Sequence, residues 1–179
     1  MSKNGEILNR IKQNLLPVHD GCFTSEQRPS FVIIENGQTG RAEIVNQNSL
    51  SGFKIDNPQQ KQILMVSIDG CLLDSRAGKR CDCLVFDNAD LCFVELKLNV
   101  SSFKQSSSAS KEAREQLEAS ISYFKTILDE LLTGMALEAF IVMKEQVYPR
   151  VRANRSNLFV SFQERTGVSL YEKNHKQFG

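Results

Sequence analysis

Two acidic residues and a lysine interrupt the most apolar part of the chain, KRCDCLVFDNADLCFVELKLN, residues 79–99. Asp82, Glu95 and Lys97 sit among Leu, Val, Phe and Cys, where a charge is costly unless it is paired or binds something. Carboxylate oxygens are the hard ligands that Mg²⁺ or Mn²⁺ prefers, and a lysine beside them can orient or help deprotonate an attacking water. Those residue types together suit hydrolysis of a phosphodiester.

The chemistry requires the three side chains to meet. Asp87-Asn88-Ala89-Asp90 is a turn signal between two apolar runs, so residues 81–87 and 90–97 are expected to form an antiparallel hairpin. A turn centred between Asn88 and Ala89 sets Phe86 opposite Leu91, Leu84 opposite Phe93, Asp82 opposite Glu95 and Arg80 opposite Lys97. Direct cross-strand partners have β-carbons about 4.5–5.5 Å apart, and facing like charges destabilise unless something neutralises them. A divalent cation would. The competing reading makes all three residues solvated charges at strand ends. Against it, both strands are apolar on both faces, with Leu84, Phe86 and Phe93 on the carboxylate side and Cys83, Val85, Cys92 and Val94 on the other, as in a sheet interior covered on both sides.

The positioning elements follow from periodicity. Ile7, Ile11, Leu15 and Leu16 fall at helical spacing over 3–16, ahead of Pro17. FVIIENGQTGRAEIVN reads as two strands about a turn, and QILMVSIDGCLL as a strand broken near Gly70. The Ser-rich segment 100–111 reads as a mobile loop, able to close over a substrate. After it, Leu117, Ile121, Phe124, Leu128 and Leu131 mark a second helix that stops by Gly134. ALEAFIVM (136–143) reads as a buried strand. SNLFVSFQERTG reads as a helix with Ser156 as N-cap and Leu158, Phe159 and Phe162 inward, and VSLYE as a last strand. The fold class is α/β (α+β): a mixed central sheet with an antiparallel meander, flanked by helices. The expected organisation is one domain over 1–179, with a core at 3–143 and a C-terminal helix-strand extension at 144–179.

Asp82, twelve intervening residues, then Glu95-Leu96-Lys97 at the end of an apolar strand resembles the active-site signature of the PD-(D/E)XK nuclease superfamily. That restriction-endonuclease-like core also has a helix, a three-stranded meander carrying the D and ExK residues, a crossover helix and a further strand. The resemblance implies that Asp82 and Glu95 bind the metal, that the Leu96 carbonyl completes its shell, and that Lys97 positions the nucleophilic water. Mg²⁺ is the implied cofactor, with Mn²⁺ as substitute. Cys81 stands where a proline often precedes the aspartate. One subgroup adds a Gln and a Tyr on the crossover helix; this chain has Gln116, placed to contact the site, but Ser120 in the tyrosine's place. The implied activity is an endonuclease on DNA, or secondarily RNA, in repair, mobile-element or defence biology. The alternatives are a non-catalytic interaction protein of nuclease fold and a nucleotide-binding sensor.

Twenty-two Lys and Arg against 21 Asp and Glu give a net charge of +1, so anion binding must come from local placement. KEQVYPRVRANR supplies the densest positive charge, with Arg150, Arg152 and Arg155 as candidate phosphate-backbone contacts and Tyr148 available to stack. No apolar run reaches a membrane span, and the polar N-terminus lacks a signal-peptide pattern, so a cytoplasmic location and no membrane partner are expected. A homodimer or larger complex is compatible with the sequence. Five cysteines, an odd number partly clustered in strand sequence, read as reduced thiols. Cys81, Cys83 and Cys92 are expected to share the face opposite the carboxylates as small buried hydrophobes, since neither His19 nor His175 has zinc-ligand spacing.

Overall fold

Ile7, Ile11 and Leu15 make one apolar stripe, and a helix that carries it must lay it on a sheet. The computed structural model describes residues 2–15, 17, 19, 21–46, 51–73, 78–148 and 153–179, with backbone alone for 153–155. It begins with α1 (Lys3–Asn14), capped by Ser2, whose hydroxyl accepts from the Gly5 N–H. There follow β1 (Phe23–Glu26), β2 (Ser30–Glu35), β3 (Ala42–Val45), β4 (Phe53–Asp56), β5 (Ile63–Ser67), β6 (Cys83–Phe86) and β7 (Asp90–Leu96). Then come α2 (Phe103–Leu128), β8 (Ala136–Val142), α3 (Ala153–Thr166), β9 (Ser169–Glu172) and β10 (His175–Gln177).

The main sheet has the strand order β1-β5-β6-β7-β8-β9. Strands β5, β6 and β7 form an antiparallel meander; β8 returns parallel to β7 after α2, and β9 parallel to β8 after α3. On one face, Ile7 and Ile11 from α1 and Leu117, Ile121 and Phe124 from α2 pack on Leu84, Phe86, Leu91 and Phe93. Each large apolar side chain buried there contributes roughly 1.5–3 kcal/mol. The other face is covered by a second sheet, in the order β10-β4-β2-β3, through Phe31, Phe53 and Ile55 packed with Met65, Val85, Cys92 and Phe140. Coverage on both faces is why β6 and β7 read as unbroken apolar runs.

The mixed sheet with flanking helices agrees with the fold class expected from the sequence, and the second sheet enlarges it. The C-terminal segment gives an edge strand to each sheet, β9 beside β8 and β10 beside β4. Among the described residues no helix is long and apolar enough to cross a membrane.

Several local expectations are corrected. The Ser-rich segment is the start of α2, not a loop. Ser102 caps the helix by accepting from the Gln105 N–H, Ser106 donates to the Phe103 carbonyl at 2.8 Å, and Ser110 donates to Glu172 at 2.5 Å. Serine disfavours helix interiors when its hydroxyl competes for the backbone, and here tertiary and capping partners take it up. Helix α3 starts at Ala153, so Ser156 lies inside it, and Leu158 is 43% exposed while Phe162 is buried. Cys22 and Cys71 form a disulfide, so the expectation of five reduced thiols fails; β1 pairing with β5 brings together two cysteines 49 residues apart. Cys81, Cys83 and Cys92 are free and buried, but Cys81 packs in the helix-side core, apart from Cys83 and Cys92 between the sheets.

Candidate functional site

The hairpin register follows from its turn. Asp87 Oδ1 accepts from the Ala89 and Asp90 N–H groups, both at 2.8 Å, and pins Phe86 to Leu91, Leu84 to Phe93 and Cys83 to Val94. The pairing ends at Cys83. Asp82 donates its N–H to the Val94 carbonyl at 3.0 Å, so it does not continue the ladder opposite Glu95, as the sequence suggested. Its Oδ2 instead accepts from the Leu96 N–H at 2.6 Å. The same break in alternation turns Cys81 to the helix side.

Helix α2 fixes the approach to Asp82. Gln116 Nε2 donates to the Arg80 carbonyl at 3.1 Å, and Ser120 Oγ, one turn along, accepts from the Cys81 N–H at 2.7 Å. One peptide group is thereby held from both sides. On the other flank, the Asp82 carbonyl accepts from the Ile68 N–H at 2.7 Å.

Lys97 gathers the remaining groups. Its Nζ lies 2.9 Å from Glu95 Oε1, donates to Gln116 Oε1 at 2.8 Å, and is 3.7 Å from Glu112. Arg80 Nε donates to Asp69 Oδ1 at 2.7 Å. Among the described residues, two buried polar atoms here have no hydrogen-bond partner, Glu95 Oε2 and one terminal nitrogen of Arg80, Nη1. Asp82, Glu95, Lys97 and Gln116, each a candidate from the sequence, therefore meet. Asp69 and Glu112 join them unforeseen; Asp69 carried only the signal of an acid closing an apolar strand.

Burial dominates the electrostatics. It pushes the Asp82 carboxyl up to about 7, with Glu35 and Asp69 adding to the rise and the Leu96 N–H and Lys97 opposing it. Burial also holds Glu95 well above the ordinary carboxylate range, and the charge of Asp82 raises it further. For Lys97, burial works against the ammonium, yet Glu95, Glu112 and Asp82 together outweigh it and leave the pKa above its ordinary value. Two acids that resist ionisation, beside a lysine that resists losing its proton, make a pocket suited to added positive charge. Beside it lies a cleft of about 350 Å³ lined by Asp69, Gly78, Lys79, Arg80, Glu112 and Gln116, of which Glu112 and Gln116 reach Lys97.

Among the described residues no group of three or more His, Cys, Asp or Glu side chains is placed to hold a metal. The available donors are two carboxylates and backbone. Glu95 Oε2 is an unused acceptor, and Asp82 Oδ2 bonds the backbone of Leu96. In an extended strand a residue's N–H and C=O share an edge, so the Leu96 carbonyl faces the same side as its N–H, toward Asp82. These oxygens fit a hard divalent cation.

Of the basic cluster, Arg150 and Arg152 lie outside the described residues, as does the side chain of Arg155, whose backbone is in the first turn of α3. Tyr148 is half-buried against the helix-side core, and its hydroxyl accepts from the Met143 N–H at 2.9 Å and donates toward the Ile141 carbonyl. The chain matches no family model, no curated protein and no solved structure.

Proposed function

We propose that this protein is a metal-dependent nuclease that hydrolyses phosphodiester bonds in DNA, a member of the PD-(D/E)XK superfamily. The observation that carries the reading is the unpartnered Glu95 Oε2, buried beside Asp82 and Lys97. An acceptor left unsatisfied in a core costs stability unless another role retains it. The sequence of α1, the β5–β6–β7 meander, α2 and β8 supports the same reading, since it is the element order of that superfamily's core.

In this reading Asp82 and Glu95 hold Mg²⁺ or Mn²⁺, with the Leu96 carbonyl beside them. When bound, the cation supplies Lewis-acid polarisation of the phosphate and a more acidic water. The protein's own share is positioning. Gln116 fixes the Lys97 ammonium at 2.8 Å, Lys97 orients the water and holds a proton at Nζ, and the peptide clamp of Gln116 and Ser120 sets the backbone of Asp82. A cytoplasmic location belongs to the proposal.

A second reading, a non-catalytic interaction protein of the same fold, draws on the Lys97–Glu95 contact, which already offsets one carboxylate. Incubating the purified chain with plasmid, single-stranded DNA and RNA in Mg²⁺, Mn²⁺ or EDTA separates the two. The nuclease reading expects cleavage in either metal, none in EDTA, and none by the Glu95→Gln variant. Cleavage that survives EDTA or that substitution, or no cleavage of any substrate, would overturn it.

A further inference from the structure

Two cavities adjoin along one side of α2, and their linings differ in kind. The cleft beside the carboxylate site is bounded by the charged and amide side chains of Asp69, Arg80, Glu112 and Gln116. Its neighbour, about 370 Å³, is bounded by Leu73, Ala119, Ser120, Tyr123 and Phe124. Lys79 and Arg80 belong to both linings and form the wall between them. A polar compartment and an aromatic one, joined at a cationic wall, match the two halves of a nucleotide.

We infer that the aromatic cavity receives an unpaired nucleobase of a single-stranded polynucleotide whose phosphodiester lies in the adjoining cleft. This rests on the nuclease reading for the occupant of the cleft. Gln116, in the cleft, and Tyr123, in the second cavity, are two turns apart on α2, about 10 Å along the helix axis, so one strand running beside the helix meets both. Tyr123 is 42% exposed, and its ring meets Phe124 edge-on at 5.5 Å and 85°, an arrangement that holds a tyrosine as a stacking surface.

The shared wall supplies charge complementarity. Arg80 is buried, uses Nε on Asp69 and keeps a buried Nη1 without a partner. Lys79 is exposed and pairs with Glu115 at the surface, a contact weak enough to exchange for a phosphate. A paired base shows only its edges to a protein and reaches a cavity only by leaving the stack, so the arrangement selects single strands or unpaired ends over intact duplex.

The test is fluorescence anisotropy of the full chain in EDTA, with a labelled single-stranded oligonucleotide and a blunt duplex of the same sequence. The expected results are preference for the single strand, weakening by about tenfold in Tyr123→Ala, retention in Tyr123→Phe, and duplex binding unchanged by either. An abasic nucleotide walked along the strand should find a position that weakens binding to the unaltered chain and has no further effect on Tyr123→Ala. That walk needs no variant to fold to reveal the sensitive position. Equal binding by Tyr123→Ala and the unaltered chain, the absence of a sensitive abasic position, or no binding to single strands would overturn the inference. Tyr123-dependent binding without cleavage in Mg²⁺ would remove the nuclease reading and leave the base site standing. Cleavage of single strands indifferent to Tyr123→Ala would do the reverse.

Discussion

At the closed end of the β6–β7 hairpin, Asp87 is 2% exposed, accepts two backbone N–H groups at 2.8 Å, and faces Lys61 at 3.8 Å. Beside it Lys176 bridges Asp90 at 3.1 Å and Glu138 at 2.6 Å. At the open end Glu95 is 1% exposed, with Oε1 on Lys97 and Oε2 on nothing, while Asp82 is held up to about 7 by burial. The same two strands thus bury carboxylates at both ends, and only one end satisfies them from within. Structure accounts for the closed end. The shortfall at the open end is what a folding requirement alone does not explain, and it separates a site from a brace.

The largest expected effect is that of Glu95→Gln. On the proposed nuclease reading, removing an anionic ligand should lower metal-dependent cleavage by about 10³-fold or more, the scale of several kcal/mol of lost transition-state stabilisation. Metal-free thermal stability should hold or rise, because burial and Asp82 already oppose a charge on Glu95 and glutamine keeps an oxygen for the Lys97 ammonium. A plasmid-nicking assay and a melting curve on one preparation check both halves; a large loss of stability would make Glu95 a brace like Asp87 and dissolve the contrast.

Lys97→Met comes next. It keeps the aliphatic stem and deletes the ammonium that touches Glu95 and Gln116. Turnover should fall by at least about 10²-fold, as for loss of a positioned acid–base group. Mn²⁺ affinity measured by calorimetry should be kept or slightly increased, since a competing positive charge has gone. Loss of metal binding along with activity would assign Lys97 to the structure.

The contrast also has a pH dependence. Asp82 and Glu95 have folded-state values above their ordinary ones, 3.8 and 4.5. Below those values both states are protonated and the groups contribute no penalty. As pH rises from 3.8 toward about 7 the unfolded chain releases the Asp82 proton while the folded chain keeps it, so stability falls, and Glu95 acts in the same sense from 4.5 upward. The slope is at most about 1.36 kcal/mol per pH unit for each such group. Melting in EDTA across this window should show the decline, and Glu95→Gln or saturating Mg²⁺ should flatten it. Stability that rises with pH over the window would contradict the burial assigned to the open end.

The closed end was legible in the sequence because everything that sets it is local. Asp87-Asn88-Ala89-Asp90 announces its turn, and the alternation of Leu84, Phe86, Leu91 and Phe93 then gives the register. At the open end residue types and chain order were legible, but geometry was not. What stops the ladder is a side chain bonding the Leu96 N–H and a peptide held by Gln116 and Ser120, contacts across 14 and about 36–39 residues that leave no periodic mark. Asp69 escaped notice for the same reason, since no periodicity ties it to its partner Arg80. Strands of three or four residues, such as β4 and β10, are too short to show a period, so the second sheet was only half visible. The serines opening α2 argued for a loop, and the partner that takes up Ser110, Glu172, comes from elsewhere in the fold.

Asp87→Asn should have the smallest effect and draws the contrast most sharply, because it makes at the closed end the chemical change that Glu95→Gln makes at the open one. Asparagine keeps the oxygen that receives the Ala89 and Asp90 N–H groups, so the turn and register survive. What is lost is the charge on those two bonds and the attraction to Lys61, while the new amide places a donor where Oδ2 faced that ammonium. The expected cost is about 1 kcal/mol in urea unfolding, with cleavage and Mn²⁺ affinity unchanged. Opposite signs at the two ends, a small loss at Asp87 with full activity and a stability gain at Glu95 with none, would mean that the hairpin separates structural from functional burial along its own length. Loss of cleavage in Asp87→Asn would instead couple the turn to the site through the strands, and the open end could no longer be treated as an independent centre.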